Sequence, residues 1–151
     1  MAGSTTTRLI RARRAKVYAT VADIEALASC LQPEGTSSRI IAYDHANGRL
    51  RMDISHGPGP GDTRRFHLVF LEKRQDELAV YGAEFETDDP LLAGEMRLHF
   101  SLTDAPSGTR VTVRHEGLPT GISVTDNERG TDSSLRNLAG RVERRDALTS
   151  E

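Results

Sequence analysis

Stretches of alternating apolar and polar residues fill the middle of the chain, and they constrain the fold more than any other feature. A period of two is that of a β-strand, whose side chains point alternately to the two faces of a sheet. Clean alternation is typical of antiparallel sheets that have one face covered and the other in water. The sequence therefore predicts strands at residues 38–44, 49–55, 63–74, 78–86, 95–103 and 109–116.

The C-terminal segment, residues 125–148, is the element that can cover the apolar face. Thr125 and Glu128 have the spacing of a capping box, so we expect a helix to begin near Asp126. Towards its N-terminus the buried stripe passes through Thr131 and Glu128, and a stripe that turns polar suits a helix covering a cavity as well as a core. Further along, the stripe consists of apolar residues at helical spacing, namely Leu135, Leu138, Ala139 and Val142.

The first part of the chain predicts a strand followed by two short helices. Residues 1–4 are expected to be disordered, residues 5–12 form a strand, and residues 14–22 a helix. Asp23 can cap a second helix that buries Leu27, and Pro33 with Gly35 ends it. This order predicts a single α+β domain over residues 1–151, with about six or seven antiparallel strands packed on the terminal helix.

Charge and hydropathy exclude several classes of protein. The formal net charge is −2, from 20 basic and 22 acidic residues, so no overall field attracts nucleic acid. No apolar run approaches the roughly 20 residues that span a bilayer, and no signal-peptide core follows the start. We therefore expect a cytoplasmic protein without membrane insertion. The basic, acid-free residues 1–22 have the composition of a transit peptide, but we favour a basic first strand and helix.

Neither a metal nor a cofactor is predicted. The five histidines lack close ligand spacing, and the lone Cys30 excludes an internal disulfide. The chain has no nucleophile motif and no glycine-rich loop for a dinucleotide. The basic residues 11–16 also lack the interleaved aromatic side chains of a nucleic-acid stacking platform. No metal, cofactor or nucleic-acid partner is therefore expected.

A family resemblance runs through nearly the whole chain. Residues 10–27 (IRARRAKVYATVADIEAL), 47–51 (NGRLR), 94–103, 108–113 and 130–143 carry it. In this order they resemble the START-like SRPBCC superfamily, and within it the branch named for the activator of the heat-shock-protein-90 ATPase. The resemblance implies a helix-grip fold, in which a curved antiparallel sheet wraps round the C-terminal helix with a cavity between them. It does not imply one activity, because one fold hosts many functions.

Two positions depart from that branch. Its members often carry tryptophan at the end of the second short helix and just after the glycine that opens the last helix. Here these places hold Cys30 and Thr131, and the chain contains no tryptophan. A small side chain in place of an indole leaves space that other residues or a ligand must fill. We therefore expect a roomier cavity than in the tryptophan-bearing relatives.

Strand parity supplies the candidate site residues. His115 continues the parity of Val111 and Val113, so it should point inward, either as a ligand contact or simply as a strand-end histidine. His67 and His99 have the opposite parity and should face outward. The residues expected to contact a ligand are Met52, Phe66, Phe70, Tyr81, Met96, Leu98, Phe100, His115, Glu128, Thr131 and Leu135.

Three functions of different classes remain open. The first is binding of a small hydrophobic or amphipathic molecule between sheet and helix, oriented by His115, Thr131 and Glu128. The second is an enzyme of the cyclase or dehydratase kind that the superfamily contains, with His115 as a weak candidate acid or base. In both, Glu128 could pair with His115 and raise its pKa above about 6.5. The third is a co-chaperone-like protein-interaction domain. A homodimer also stays open.

Overall fold

Strands and helices follow one another in the predicted order. The computed structural model describes residues 2–32, 35–59 and 61–149, with the side chains of residues 3–143 in these ranges. Pro33, expected to help end the second helix, lies outside the described residues. The elements are β1 (Ala2–Ile10), α1 (Arg14–Val21), α2 (Ile24–Cys30), β2 (Ser37–Asp44), β3 (Arg49–Ser55), β4 (Thr63–Arg74), β5 (Leu78–Phe85), β6 (Glu95–Ala105), β7 (Gly108–Leu118) and α3 (Val124–Thr149).

The strands form one antiparallel sheet in the order β1-β7-β6-β5-β4-β3-β2. Strands β2 to β6 each pair with the next strand along the chain, and β1 instead pairs with β7. The two short helices therefore connect the opposite edges of the sheet. Together with α3 this gives a curved sheet around a long terminal helix, so the predicted α+β helix-grip architecture is confirmed.

The inner face of the sheet and one face of α3 form the core. The alternating residues of β6 and β7 are buried as predicted, and so is the apolar stripe of α3. On β5 the inward residues are Tyr81, Ala83 and Phe85, and the Tyr81 hydroxyl donates to the Val21 carbonyl at 2.6 Å. That bond fixes α1 against the middle of the sheet.

The outer face carries the charged residues. His67 and His99 lie there, each beside a carboxylate: His67 Nε2 is 3.1 Å from Glu86 Oε1, and His99 Nε2 is 2.6 Å from Glu116 Oε1. His67 keeps 42% of its side chain exposed and His99 19%. The predicted parity of the sheet is therefore correct on both faces.

The starts of β1 and α3 differ from the sequence prediction more than the starts of the other elements. Strand β1 already begins at Ala2, because residues 2–4 pair with β7 up to the register Ser4↔His115. The expected disorder of residues 2–4 is therefore wrong. Helix α3 begins at Val124, and Ser123 caps it: the Asp126 amide donates to the Ser123 hydroxyl at 3.0 Å. The expected capping box of Thr125 and Glu128 is therefore wrong, whereas Asp23 caps α2 as predicted.

Candidate functional site

A pocket of about 580 Å³ lies between the inner face of the sheet and the first half of α3. Strands β3 to β7 supply one wall, and α2 and α3 supply the other. Its apolar walls arise from the two periodicities that built the fold, because every second residue of a strand and every third or fourth residue of a helix point the same way. The apolar side chains of these walls include Phe66, Phe85, Met96, Leu98, Phe100 and Leu135.

The helix side of the pocket is polar near the start of α3. Asn127, Thr131 and Ser134 lie at i, i+4 and i+7 and line the pocket, and Leu138 continues the same face. The Thr131 hydroxyl donates to the Asn127 carbonyl at 2.8 Å, and the Ser134 hydroxyl donates to the Gly130 carbonyl at 3.1 Å. Because their protons are taken by the helix, both hydroxyls offer lone pairs to a ligand.

His115 also lines this pocket and is only 7% exposed. Its Nδ1 is buried and has no hydrogen-bond partner among the described residues. Burial lowers the pKa of His115 to about 4, since desolvation disfavours the imidazolium. The ring is therefore neutral at pH 7, and the expected rise of its pKa is wrong.

Glu128 does not line this pocket. It is exposed and borders a second pocket of about 430 Å³, on the other side of His115 beside β1. Within the described part of the chain the structure shows no ion pair between Glu128 and His115. The pocket thus contains a buried, uncharged imidazole that has no acidic partner among the residues the structure describes.

Other predicted site residues divide into two groups. Met52 and Tyr81 are fully buried in the core, and Phe70 packs on Tyr81 with ring centroids 4.8 Å apart, so these three lie outside the pocket. The inner face of the sheet is longer than the pocket, and its part near α1 is filled by side chains. The pocket is lined by the remaining predicted residues, Phe66, Met96, Leu98, Phe100, His115, Thr131 and Leu135.

Cys30 and Thr131 occupy the positions where relatives often carry tryptophan, and both line the pocket. Cys30 is buried, and this burial raises the pKa of its thiol against the opposing effect of Arg141. The thiol is therefore protonated at neutral pH and adds little charge to the wall.

Several lining residues were missed by the sequence reasoning. Arg64 shares the parity of Phe66 and Leu68, so it could have been found as the residue where the inward face of β4 reaches the opening. The lining residues on α3 could be identified only with the correct start of that helix. The polar and charged lining residues missed are His56, Arg64, Asp126, Asn127, Arg129, Ser133 and Ser134.

The described residues contain no group of three or more histidine, cysteine, aspartate or glutamate side chains placed to hold a metal ion. Among the helices in the same ranges, none is both long enough and apolar enough to cross a membrane. The arrangement thus offers a mostly apolar pocket with neutral hydrogen-bonding groups inside and charged side chains at its opening.

Known proteins show where this fold occurs. A comparison with curated proteins found no match. Protein CV1439 from Chromobacterium violaceum has a similar crystal structure, with a TM-score of 0.79 and 26% identity over 95% of this chain and 99% of that chain. The AHSA1 (SPO3351) protein from Silicibacter pomeroyi has a TM-score of 0.73 and 20% identity, over 94% of this chain and 98% of that chain.

The sequence model described as "Activator of Hsp90 ATPase homolog 1-like protein" matches residues 11–143. These residues include both short helices, strands β2 to β7 and most of α3. The chain therefore belongs to the Activator of Hsp90 ATPase homolog 1-like (AHSA1) family.

Proposed function

We propose that the protein binds a small amphipathic molecule in the pocket between the sheet and α3. The observation that carries this proposal is the pocket itself, whose volume of about 580 Å³ combines apolar walls with a few convergent polar groups. Natural small-molecule sites have this size and this mixture of surfaces. The apolar part of the ligand would contact Phe66, Met96 and Leu98.

His115 supports the same proposal. A buried polar atom without a partner lowers stability, by roughly 1 to 3 kcal/mol, and such atoms are rare in native proteins. Among the described residues, the buried Nδ1 of His115 has no hydrogen-bond partner. A ligand hydroxyl or carbonyl would provide the missing hydrogen bond, and the neutral ring could donate to it or accept from it depending on the tautomer.

The proposal is tested by filling the pocket. Thr131 is 8% exposed and lines the pocket, so Thr131→Trp should occupy its space and reduce binding of Nile red, a neutral apolar dye, by about tenfold or more in a fluorescence titration. Thr103→Trp places the same indole on the exposed outer face of β6 and serves as the matched control. Dye affinity equal in wild type and Thr131→Trp would contradict the proposal.

A further inference from the structure

The opening of the pocket carries unpaired positive charge. Arg64 on β4 and Arg129 on α3 both line the pocket and are both exposed, so one guanidinium comes from the sheet wall and one from the helix wall. Neither makes an ion pair with another residue in the described ranges. Arginines on the outer face behave differently, as Arg65 pairs with Asp53 at 2.8 Å and Arg51 with Glu86 at 2.9 Å.

The other titratable groups at the opening do not cancel this charge. Asp126 contributes one carboxylate to the lining, against two guanidinium groups, and His56 is an exposed loop histidine. The opening therefore has an excess of positive charge next to apolar walls. A guanidinium binds a carboxylate through two parallel hydrogen bonds, and its aliphatic stem can lie along an apolar wall while its head stays in water.

The buried lining residues have the opposite character. His115 lines the pocket and is only 7% exposed, and this burial lowers its pKa, because a charged group is costly to bury. Phe100 and Leu138 also line the pocket and are almost completely buried. A molecule with one charged end would consequently bind with its apolar end inward and its charge at the opening.

We propose that the ligand is a monocarboxylate with an apolar body, whose carboxylate is bound at the opening by Arg64 and Arg129. This inference rests on the proposed function, because it names the chemical class of the molecule in the same pocket. Arg64 and Arg129 then determine specificity, and the apolar walls supply affinity for any body of the right size.

The test compares two probes that differ only in charge. Decanoate and decanamide have the same chain length and nearly the same shape, and calorimetric titration at pH 8 keeps the acid ionised. Wild type should bind decanoate about tenfold or more tightly than decanamide. Arg64→Gln and Arg129→Gln should each weaken decanoate binding about tenfold and leave decanamide binding within about twofold. Arg97→Gln, on the outer face of β6, is the matched control and should change neither.

Two outcomes overturn the inference alone and leave the proposed function standing. Decanamide binding as tightly as decanoate, or a double variant Arg64→Gln/Arg129→Gln that keeps wild-type decanoate affinity, would refute a carboxylate site while leaving the apolar pocket in place. If neither probe binds and neither displaces Nile red, the proposed function fails as well. Melting temperatures of the variants within about 2 °C of wild type would confirm that folding is unaffected.

Discussion

Ser4 of β1 lies opposite His115 of β7 in the sheet, yet the Ser4 hydroxyl donates to the Asn127 side-chain carbonyl of α3 and not to the imidazole. This hydrogen bond connects the first strand to the last helix and takes the proton of the Ser4 hydroxyl. Among the described residues, the buried Nδ1 of His115 has no hydrogen-bond partner. Residues from both ends of the chain thus lie around the histidine.

His115 should make the protein less stable in acid. Its folded pKa of about 4 lies below the ordinary value of 6.5, so between these values the unfolded chain binds a proton that the folded chain does not. This difference in proton binding does not affect stability above pH 7, and it lowers the free energy of unfolding by roughly 3 kcal/mol near pH 4. In urea unfolding between pH 7 and pH 4, the free energy of unfolding should therefore fall less in His115→Gln than in wild type as the pH is lowered. Parallel pH dependences would contradict this assignment.

The lowered pKa of His115 also concerns the alternative that the protein is an enzyme with His115 as its acid or base. A neutral imidazole at pH 7 holds no imidazolium proton, so His115 is a poor general acid there. An NMR titration of the five histidines, repeated in Glu128→Gln, should give a His115 pKa far below 6.5 that the substitution leaves unchanged. A pKa above 6.5 that falls in Glu128→Gln would restore the pairing of these two residues.

Ser123 should stabilise α3 as its N-cap. Its hydroxyl accepts from the Asp126 amide, and its carbonyl accepts from the Asn127 amide at 3.0 Å. Ser123→Ala should lower the free energy of unfolding by about 1 kcal/mol, since one first-turn amide loses its partner. Thr125→Ala is the matched control and should change stability by less than about 0.5 kcal/mol, because Thr125 is exposed inside the helix. The reverse order in denaturant unfolding would restore the capping box expected from the sequence.

Local patterns in the sequence were sufficient to predict the fold. The inward set Met96, Leu98 and Phe100 follows from a period of two, and a register slip would have exposed all three together. The helix start was predicted less well, because Ser123 and Thr125 are both good capping residues and only the path of the preceding chain decides between them. Pairing of residues 2–4 with β7 depends on a contact between distant segments, which no local pattern reveals.

The site was predictable only in part for the same reason. Phe66 and Leu135 were identified because parity and helical spacing show direction. The direction in which a side chain points does not show whether it reaches the pocket. Parity therefore selects Met52 and Tyr81 as well, although other side chains cover both. The direction of the His115 pKa shift was beyond reach because desolvation depends on the whole surrounding fold.

Asp53 and Arg65 should stabilise the outer face in a pH-dependent way. Arg65 donates to both Asp53 oxygens, at 2.8 and 3.2 Å, and this hydrogen bonding holds the pKa of the carboxyl below its usual range. The pair is therefore fully formed above pH 4 and is lost as the pH falls through the lowered pKa. Asp53→Asn should lower stability at pH 7 by about 1 kcal/mol, and the difference from wild type should shrink in acid.

Glu84→Gln provides the control for that experiment, because Glu84 is an exposed outer-face carboxylate on β5. Its thermal unfolding should match wild type at pH 7 within about 0.5 kcal/mol. An Asp53→Asn difference that stays constant between pH 7 and pH 3 would show that the carboxylate charge contributes nothing.

Gly108 should tolerate a side chain poorly. It opens β7 where this strand passes the end of β1, and a Cβ atom built on it would lie 2.1 Å from the Ile10 carbonyl oxygen and 3.0 Å from the Arg11 Cα. Both neighbours are backbone atoms, and the pairing of Ile10 with Thr109 holds the Ile10 carbonyl in place, so it cannot move away alone. Gly108→Ala should therefore lower the free energy of unfolding by about 3 kcal/mol.

Gly61→Ala is the matched control for this substitution, since a Cβ there would meet no atom within 4 Å and the residue lies in the loop before β4. Its effect in urea unfolding should stay within about 0.5 kcal/mol, with the smaller entropy of the unfolded alanine chain offsetting any loss. Equal stability of the two variants would mean that β1 does not pass as close to the start of β7 as the pairing of Ile10 with Thr109 indicates. Loss of stability in Gly108→Ala alone would instead locate the tight contact where the end of β1 meets the start of β7.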